Sequence, residues 1–166
     1  MTTITEEEKE GQESPAVSIT VWPYVDALAV AKLEEDAIIP TRKHDGDAGV
    51  DFYALKDVVI GPRQMKVVKT GITVQLPYHY FGLLKPKGGS NHLVGAGVVD
   101  PDYQGEILFK IYNPHDDATS FLAGQPVGQM VLVPIIRPPV VEVDVDEIHQ
   151  EETERGATGG ITENDE

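Results

Sequence analysis

An all-β domain, a sandwich or barrel, is the fold this sequence predicts, and three observations predict it. Short runs rich in Val, Ile, Phe and Tyr recur along most of the chain. Gly and Pro break these runs at close, regular intervals, as at Gly61-Pro62, Pro77 and Asn113-Pro114. A chain of 166 residues is long enough to bury one sizeable core and has no visible internal repeat.

Taken in order, Met1–Ser14 is polar and acidic without periodicity, and reads as a disordered arm. Residues 16–22 alternate and read as a strand. Val25–Leu33 is apolar with Ala and Leu; Asp26 would cap a short helix there, and a strand fits as well. Pro40–Gly46 is a polar loop, and Asp47–Ala54 is a strand kinked by Gly49. Val58–Ile60, Met65–Thr70, Ile72–Leu76, Phe81–Leu84, Ile107–Tyr112 and Pro126–Val133 follow as strands. Val140–Asp146 alternates and is sharply acidic, which suits an edge strand or one that pairs with another subunit. Residues 151–166 read as a mobile tail. The division expected is therefore an arm over 1–14, a β domain over 15–141, and an acidic strand and tail over 142–166.

The charge is unevenly spread. Of the net −15, residues 1–14 carry −4 and residues 142–166 carry −9, which leaves −2 for the body. Such acidity discourages nucleic acid and anionic membranes, while the near-neutral body still admits an anionic small molecule. Zero cysteines exclude a disulfide framework and thiolate chemistry. No apolar run is long enough for a membrane span and the first residues lack a signal-peptide pattern, so a cytoplasmic protein is the expectation. The five histidines show no paired metal-ligand spacing, and His115-Asp116-Asp117 reads as a solvated loop cluster.

The most informative stretch is Gly95-Ala96-Gly97-Val98-Val99-Asp100-Pro101-Asp102-Tyr103-Gln104-Gly105-Glu106. Asp100-Pro101-Asp102 starts a turn, because Pro presets φ and Asp bonds its own backbone. One carboxylate is thereby held at a strand-to-turn corner beside glycines and a tyrosine. A plain β-hairpin with an acidic turn fits these residues equally well.

Five stretches now stand in order: Asp47–Asp51, Pro86–Ser90, Gly95–Glu106, Gly124–Pro134 and Arg155–Gly160. Together they resemble the five motifs of the homotrimeric dUTP diphosphatases (dUTPases), over roughly residues 15–162. The resemblance implies a jelly-roll-like subunit, three active sites per trimer at subunit interfaces, and Mg²⁺-dependent hydrolysis of dUTP to dUMP and pyrophosphate.

It also implies roles. Asp100 would be the general base, orienting a water and taking its proton; a turn-initiating Asp is the plainer role. Asp102 suits the turn itself. Tyr103 would lie under the deoxyribose and leave no room for a 2′-hydroxyl, or else fill a core. Gly95, Ala96, Gly97 and Val98 would form a hairpin that reads uracil with backbone groups. Lys87, Gly88, Gly89 and Ser90 would be the phosphate loop. Asp51 would hold the water and metal network, and Mg²⁺ would ride mainly on the triphosphate and waters. Gln129 would reach phosphate from a strand. Arg155, with Gly156 and Gly159, would close over the γ-phosphate.

The chain departs from the family pattern in places. Lys87 replaces an Arg and loses its bidentate fork. Gly88 replaces a Ser, for which Ser90 is the nearest substitute. The connection from this loop to Asp100 is shorter than usual, which would bring Asn91 or His92 into the site. No aromatic residue follows Arg155, and Ile161 is the nearest replacement for the stacking Phe. Two other readings stand beside the dUTPase one. The first is a dCTP deaminase-like relative on the same fold, against which Asp102-Tyr103 and the lack of an Arg-Ser-Ser stretch speak. The second is a nucleotide-binding module with little or no turnover, which Gly88 and the missing Phe suit.

Overall fold

β8 (Glu106–Tyr112) shows most simply why this chain folds as it does. Ile107, Phe109 and Ile111 are buried while Leu108 and Lys110 are exposed, a strict two-residue alternation that gives the strand one core face. Burying a ring such as Phe109 completely contributes about 1.5–3 kcal/mol. The structure is a computed structural model and describes residues 27–148. The predicted arm, the strand over 16–22 and the tail lie outside these residues.

The first sheet has the order β1-β4-β8-β6, built from β1 (Ala29–Lys32), β4 (Met65–Gln75), β8 and β6 (Leu93–Val94). The second has the order β2-β10-β5-β7, from β2 (Gly49–Tyr53), β10 (Pro126–Pro134), β5 (Tyr80–Lys85) and β7 (Gly97–Val99). A third, two-stranded piece joins β3 (Val58–Ile60) to β9 (Thr119–Phe121). The pairings are antiparallel. Residues from both large sheets form one core: Phe52, Leu84, Val99 and Met130 meet Val68, Ile72, Val74, Ile107, Phe109 and Ile111. The rings of Phe52 and Phe109 cross between the sheets with centroids 5.7 Å apart. This is the all-β sandwich that the strand spacing predicts, of the jelly-roll-like kind that the resemblance implies.

Several boundaries differ from expectation. The two strands expected over 65–70 and 72–76 are one, β4, because Gly71 does not end it. At φ 66° Gly71 forms an irregularity in the pairing with β8, between Lys69 and Thr73. The Glu106 carboxylate accepts the Gly71 N–H at 2.8 Å, and the Thr70 hydroxyl donates to the Ile107 carbonyl at 2.7 Å. The side chains thus restore bonds that the ladder loses there. The strand alternative, not the helix, holds over Ala29–Lys32. β6 and β9 are too short to stand out as sequence runs.

The compact β unit ends at Ile135. Beyond it, the strand predicted over 140–146 does not form: 140–144 have no regular structure and α1 (Val145–Ile148) is one helical turn. Alternation makes a strand only when a partner takes its backbone groups. Here Asp144 occupies the helix N-cap position, its carbonyl accepts the Glu147 N–H at 3.1 Å, and Asp146 and Glu147 suit the positive end of a helix.

Candidate active site

Two groups of predicted residues emerge, at opposite ends of the β5 side of the second sheet. The first centres on β2 and β10, which place Asp51 directly across from Gln129. The other edge of β2 is held by Thr41, which exchanges both backbone hydrogen bonds with Asp51. Gln129 in turn faces Lys85 at the end of β5, so the chain leaving β5 passes over it. The Gln129 amide donates to the Pro86 carbonyl at 3.0 Å. Its side chain lies across Gly49, where a Cβ would come within 3.0 Å of Gln129 Cδ. Lys87 follows, and its ammonium is ion-paired with the Asp51 carboxylate, which is only 13% exposed. Then the chain turns tightly: the Ser90 N–H donates to the Lys87 carbonyl at 3.0 Å. A Cβ at Gly88 or Gly89 would meet nothing within 4 Å, so their backbone stands open. Asp51, Lys87, Gly88, Gly89, Ser90 and Gln129 are therefore neighbours.

The second group lies on β7 and the turn after it. Asp100 is exposed, and its carbonyl accepts the Tyr103 N–H at 3.1 Å, which closes a turn around the buried Pro101. Gln75 fixes that turn by donating to the Pro101 carbonyl at 2.7 Å. The Tyr103 hydroxyl donates to the Glu106 carbonyl at 3.0 Å, so the ring lies flat over Gly105. A Cβ on Gly105 would come within 2.6 Å of Tyr103 Cζ. Beside the ring is a cavity of about 200 Å³ lined by Leu84, Gly97, Val98, Tyr103, Glu106 and Leu108, among others.

The hairpin expected over Gly95–Val98 takes another form. Val94 pairs with Ile111 in one sheet, and the Gly95 N–H still donates to Lys110 at 2.9 Å. Ala96 then crosses to the other sheet, where Gly97 and Val98 pair with Leu84 and Leu83 of β5. The strands β6 and β7 do not pair with one another. Gly97 and Val98 still line the cavity.

The structure does not bring the two groups together. Gly97 faces Leu84 and Val99 faces Gly82, which puts Asp100 level with Phe81 near the start of β5 while Lys87 lies past its end. The distance along that strand from the Phe81 row to the Lys85 row alone is about 13 Å. His92 does not enter either group. It is 8% exposed, packs edge-on to Phe121 and binds the Val127 carbonyl at 3.0 Å. Asn91 is exposed, and its carbonyl accepts from the His115 ring. His115 is thus not a free member of a loop cluster, and neither is Asp116, which is paired with Arg63 at 2.9 Å. Arg155, Gly156 and Gly159 lie outside the described residues. Among the described residues, no group of three His, Asp or Glu side chains is placed to hold a metal ion. No described helix is long and apolar enough to cross a membrane.

The sequence reading gave Gly49 only a kink in its strand and gave Gln75, Gly105 and Glu106 no role, yet all four shape these groups. Gly49 and Gly105 had a signal: each stands inside a quoted motif, where a small residue leaves room for a neighbouring side chain. Gln75 had none.

Comparison with known proteins gives the family. The family model described as dUTPase matches residues 35–160. The deoxyuridine 5'-triphosphate nucleotidohydrolase of Mycolicibacterium vanbaalenii is 38% identical over 140 residues, 80% of this chain and 91% of that protein. The nucleotidohydrolase of the same name from Gloeothece citriformis is 36% identical over 138 residues, 80% and 92% of the two chains. Among solved structures, the Staphylococcus bacteriophage 80alpha dUTPase with dUPNHPP superposes with a TM-score of 0.70 at 27% identity, covering 80% of this chain and 95% of that one. A dUTPase from phage phi11 of S. aureus, described for its coordination of a structural Mg(II) ion, superposes with a TM-score of 0.67 at 26% identity, over 72% and 97%. With a family model over most of its length and relatives of this identity, the chain belongs to the dUTPase family.

Proposed function

We propose that this protein is a homotrimeric dUTP diphosphatase, hydrolysing dUTP to dUMP and pyrophosphate at sites shared between subunits. The observation that carries the chemistry is the pairing of exposed Asp100 with Tyr103, packed on Gly105 beside a cavity lined by Gly97 and Val98. Asp100 orients a water toward the α-phosphorus and accepts its proton as the pyrophosphate leaves. Tyr103 presents a ring face to the deoxyribose, so a 2′-hydroxyl is rejected by shape. The backbone of Gly95, Ala96, Gly97 and Val98 supplies fixed N–H and C=O groups for the uracil edge.

The phosphates belong to the other group. Open backbone at Gly88 and Gly89 and the Ser90 hydroxyl form an anion-binding concavity, with Lys87 adding charge and Gln129 a hydrogen bond. Arg155, with Gly156 and Gly159, closes over the γ-phosphate. Because the two groups stand apart in one subunit, a nucleotide meets both only when copies assemble. A cavity of about 200 Å³ is also small for a nucleotide, since ligand sites usually run to about 300–1,000 Å³. The exposed apolar side chains of Met65, Val67, Leu93 and Leu108 on the outer face of the first sheet suit such an assembly.

Mg²⁺ fits this chain in one way. No described cluster forms a cage, but Mg²⁺ commonly takes one or two carboxylates, with phosphates and waters completing its shell. Asp51 is the carboxylate within reach of the phosphate loop. The ion would offset phosphate charge during transfer. A triphosphate does not cross a bilayer unaided, so an enzyme for the cell's own dUTP works in the cytoplasm.

Pyrophosphate release from dUTP, dCTP and UTP with Mg²⁺ tests the reading. Turnover of dUTP alone is expected, and Asp100→Asn should abolish it while nucleotide binding persists. Release of no pyrophosphate by the unmodified protein would overturn the assignment. Light scattering should give three times the 18.1 kDa subunit mass.

A further inference from the structure

We infer that His115 and His92 are positioning residues which hold the exit of the Lys87–Ser90 loop in its phosphate-binding shape. The inference rests on the reading of that loop as the phosphate site. The start of the loop is secured twice, by Gln129 at the Pro86 carbonyl and by the ion pair of Lys87 with Asp51. Its exit is secured by two imidazoles. The His115 ring nitrogen Nε2 binds the Asn91 carbonyl at 2.6 Å. One residue later, His92 turns inward and its Nε2 binds the Val127 carbonyl at 3.0 Å, so a ring N–H donates in each case. Between these ties lie only Gly88, Gly89 and Ser90, and the Ser90 N–H closes the turn on the Lys87 carbonyl.

Both anchors are themselves fixed. Val127 sits where the pairing of β10 with β2 shifts register between Pro126 and Gly128. A residue at such a bulge is left out of the regular ladder, and the His92 ring meets its carbonyl. The ring also packs edge-on to Phe121, at 4.9 Å between centroids. His115 stands on a loop whose backbone is held on both sides. Its N–H donates to Asn113 Oδ1 at 3.1 Å, and its carbonyl accepts the Arg63 N–H at 3.3 Å.

Two adjacent glycines explain why such ties matter. Gly88 and Gly89 have no side chain to pack, and a Cβ at either would touch nothing within 4 Å. Ordering such a segment around phosphate is entropically costly unless its ends are already fixed. The histidines leave three residues between the ties, so the loop meets the ligand largely formed.

The exposed tie is the one to cut. His115→Ala should weaken binding of the α,β-imido analogue of dUTP about tenfold, since small misplacements of a positioning loop carry such penalties. Binding of deoxyuridine, which has no phosphate, should be unchanged, as should the thermal midpoint. His115→Gln, which keeps an N–H donor at similar reach, should restore the analogue's affinity. His92→Phe keeps the packing against Phe121 but removes the donor, and should show the same phosphate-selective loss. Unchanged analogue affinity in His115→Ala, or an equal loss for deoxyuridine, would overturn the inference. If the unmodified protein binds deoxyuridine yet gains no affinity from the three phosphates, the phosphate-loop reading itself falls, a distinct result.

Discussion

Asp51 and Lys87 close an ion pair between β2 and the turn that follows β5, and both partners are largely withdrawn from water. The pair joins two motifs that are far apart in sequence. It also sets the state of the site before ligand arrives: the ammonium that would meet phosphate is already held beside its path. Breaking such a pair from one side leaves the other charge partly buried and uncompensated.

Replacing Lys87 therefore acts in two ways. Lys87→Met should raise the KM for dUTP by roughly ten- to a hundredfold, as a charge-assisted phosphate contact is lost, about 1.5–3 kcal/mol. Lys87→Arg should keep the charge and add a bidentate fork, giving a KM at or below that of the unmodified enzyme. Steady-state kinetics on both variants checks this; equal KM values for all three would show that Lys87 does not reach phosphate.

Gly105 and Tyr103 make a second test. A methyl at Gly105 would come within 2.6 Å of Tyr103 Cζ, so the ring must lift. Gly105→Ala should break the hydroxyl's bond to the Glu106 carbonyl and tilt the ring away from the sugar. The ratio of kcat/KM for dUTP over UTP should fall by about tenfold or more, as the shape filter opens. Tyr103→Phe keeps the ring and should lower the ratio much less.

How much of this was legible in the sequence follows from the kind of information involved. Strands such as β8 declare themselves because every second residue is apolar over seven positions. The motifs that carry Asp51, Lys87, Asp100, Tyr103 and Gln129 are local, so their residues could be named without coordinates. Their grouping could not. Only register shows that Asp51 faces Gln129, and that Asp100 lies at the other end of β5. The hairpin over Gly95–Val98 was misread because whether a short link folds on itself or changes sheets depends on where β5 and β8 lie. The strand over 140–146 was misread because alternation does not reveal whether a partner exists. His92 shows the same limit: its inward turn is set by the bulge at Val127 on a distant strand.

Gly128 carries a prediction about stability rather than activity. It is buried, and a Cβ there would lie 2.6 Å from Phe109 Cδ1 and 3.0 Å from the Lys85 carbonyl. The ring is locked in the core and the carbonyl belongs to the sheet, so neither can give way cheaply. Gly128→Ala should destabilise by about 1–3 kcal/mol through overpacking. Denaturant unfolding is the measurement, and a midpoint unchanged from the parent would refute the clash.

Asn113 offers the largest expected effect on stability. Its side chain is fully buried, and Nδ2 reaches the carbonyls of Ile60, Gly61 and Asp117 at 3.2, 3.1 and 2.7 Å. Its Oδ1 accepts the His115 N–H. One amide thus ties β3, the turn after it and the loop that carries His115. Asn113→Asp keeps the shape but removes the donor and points a carboxylate at three carbonyl oxygens. The expected loss is about 3–5 kcal/mol, the range for an uncompensated buried charge. Burial among carbonyls raises the folded-state pKa of that carboxyl above its unfolded value, because only the protonated form can donate. The deficit should therefore be smallest below the unfolded pKa and grow as pH rises through the folded one. Unfolding measured from acidic to neutral pH tests both size and sign. A loss that shrank toward neutral pH would show that the amide is not the donor these three carbonyls share.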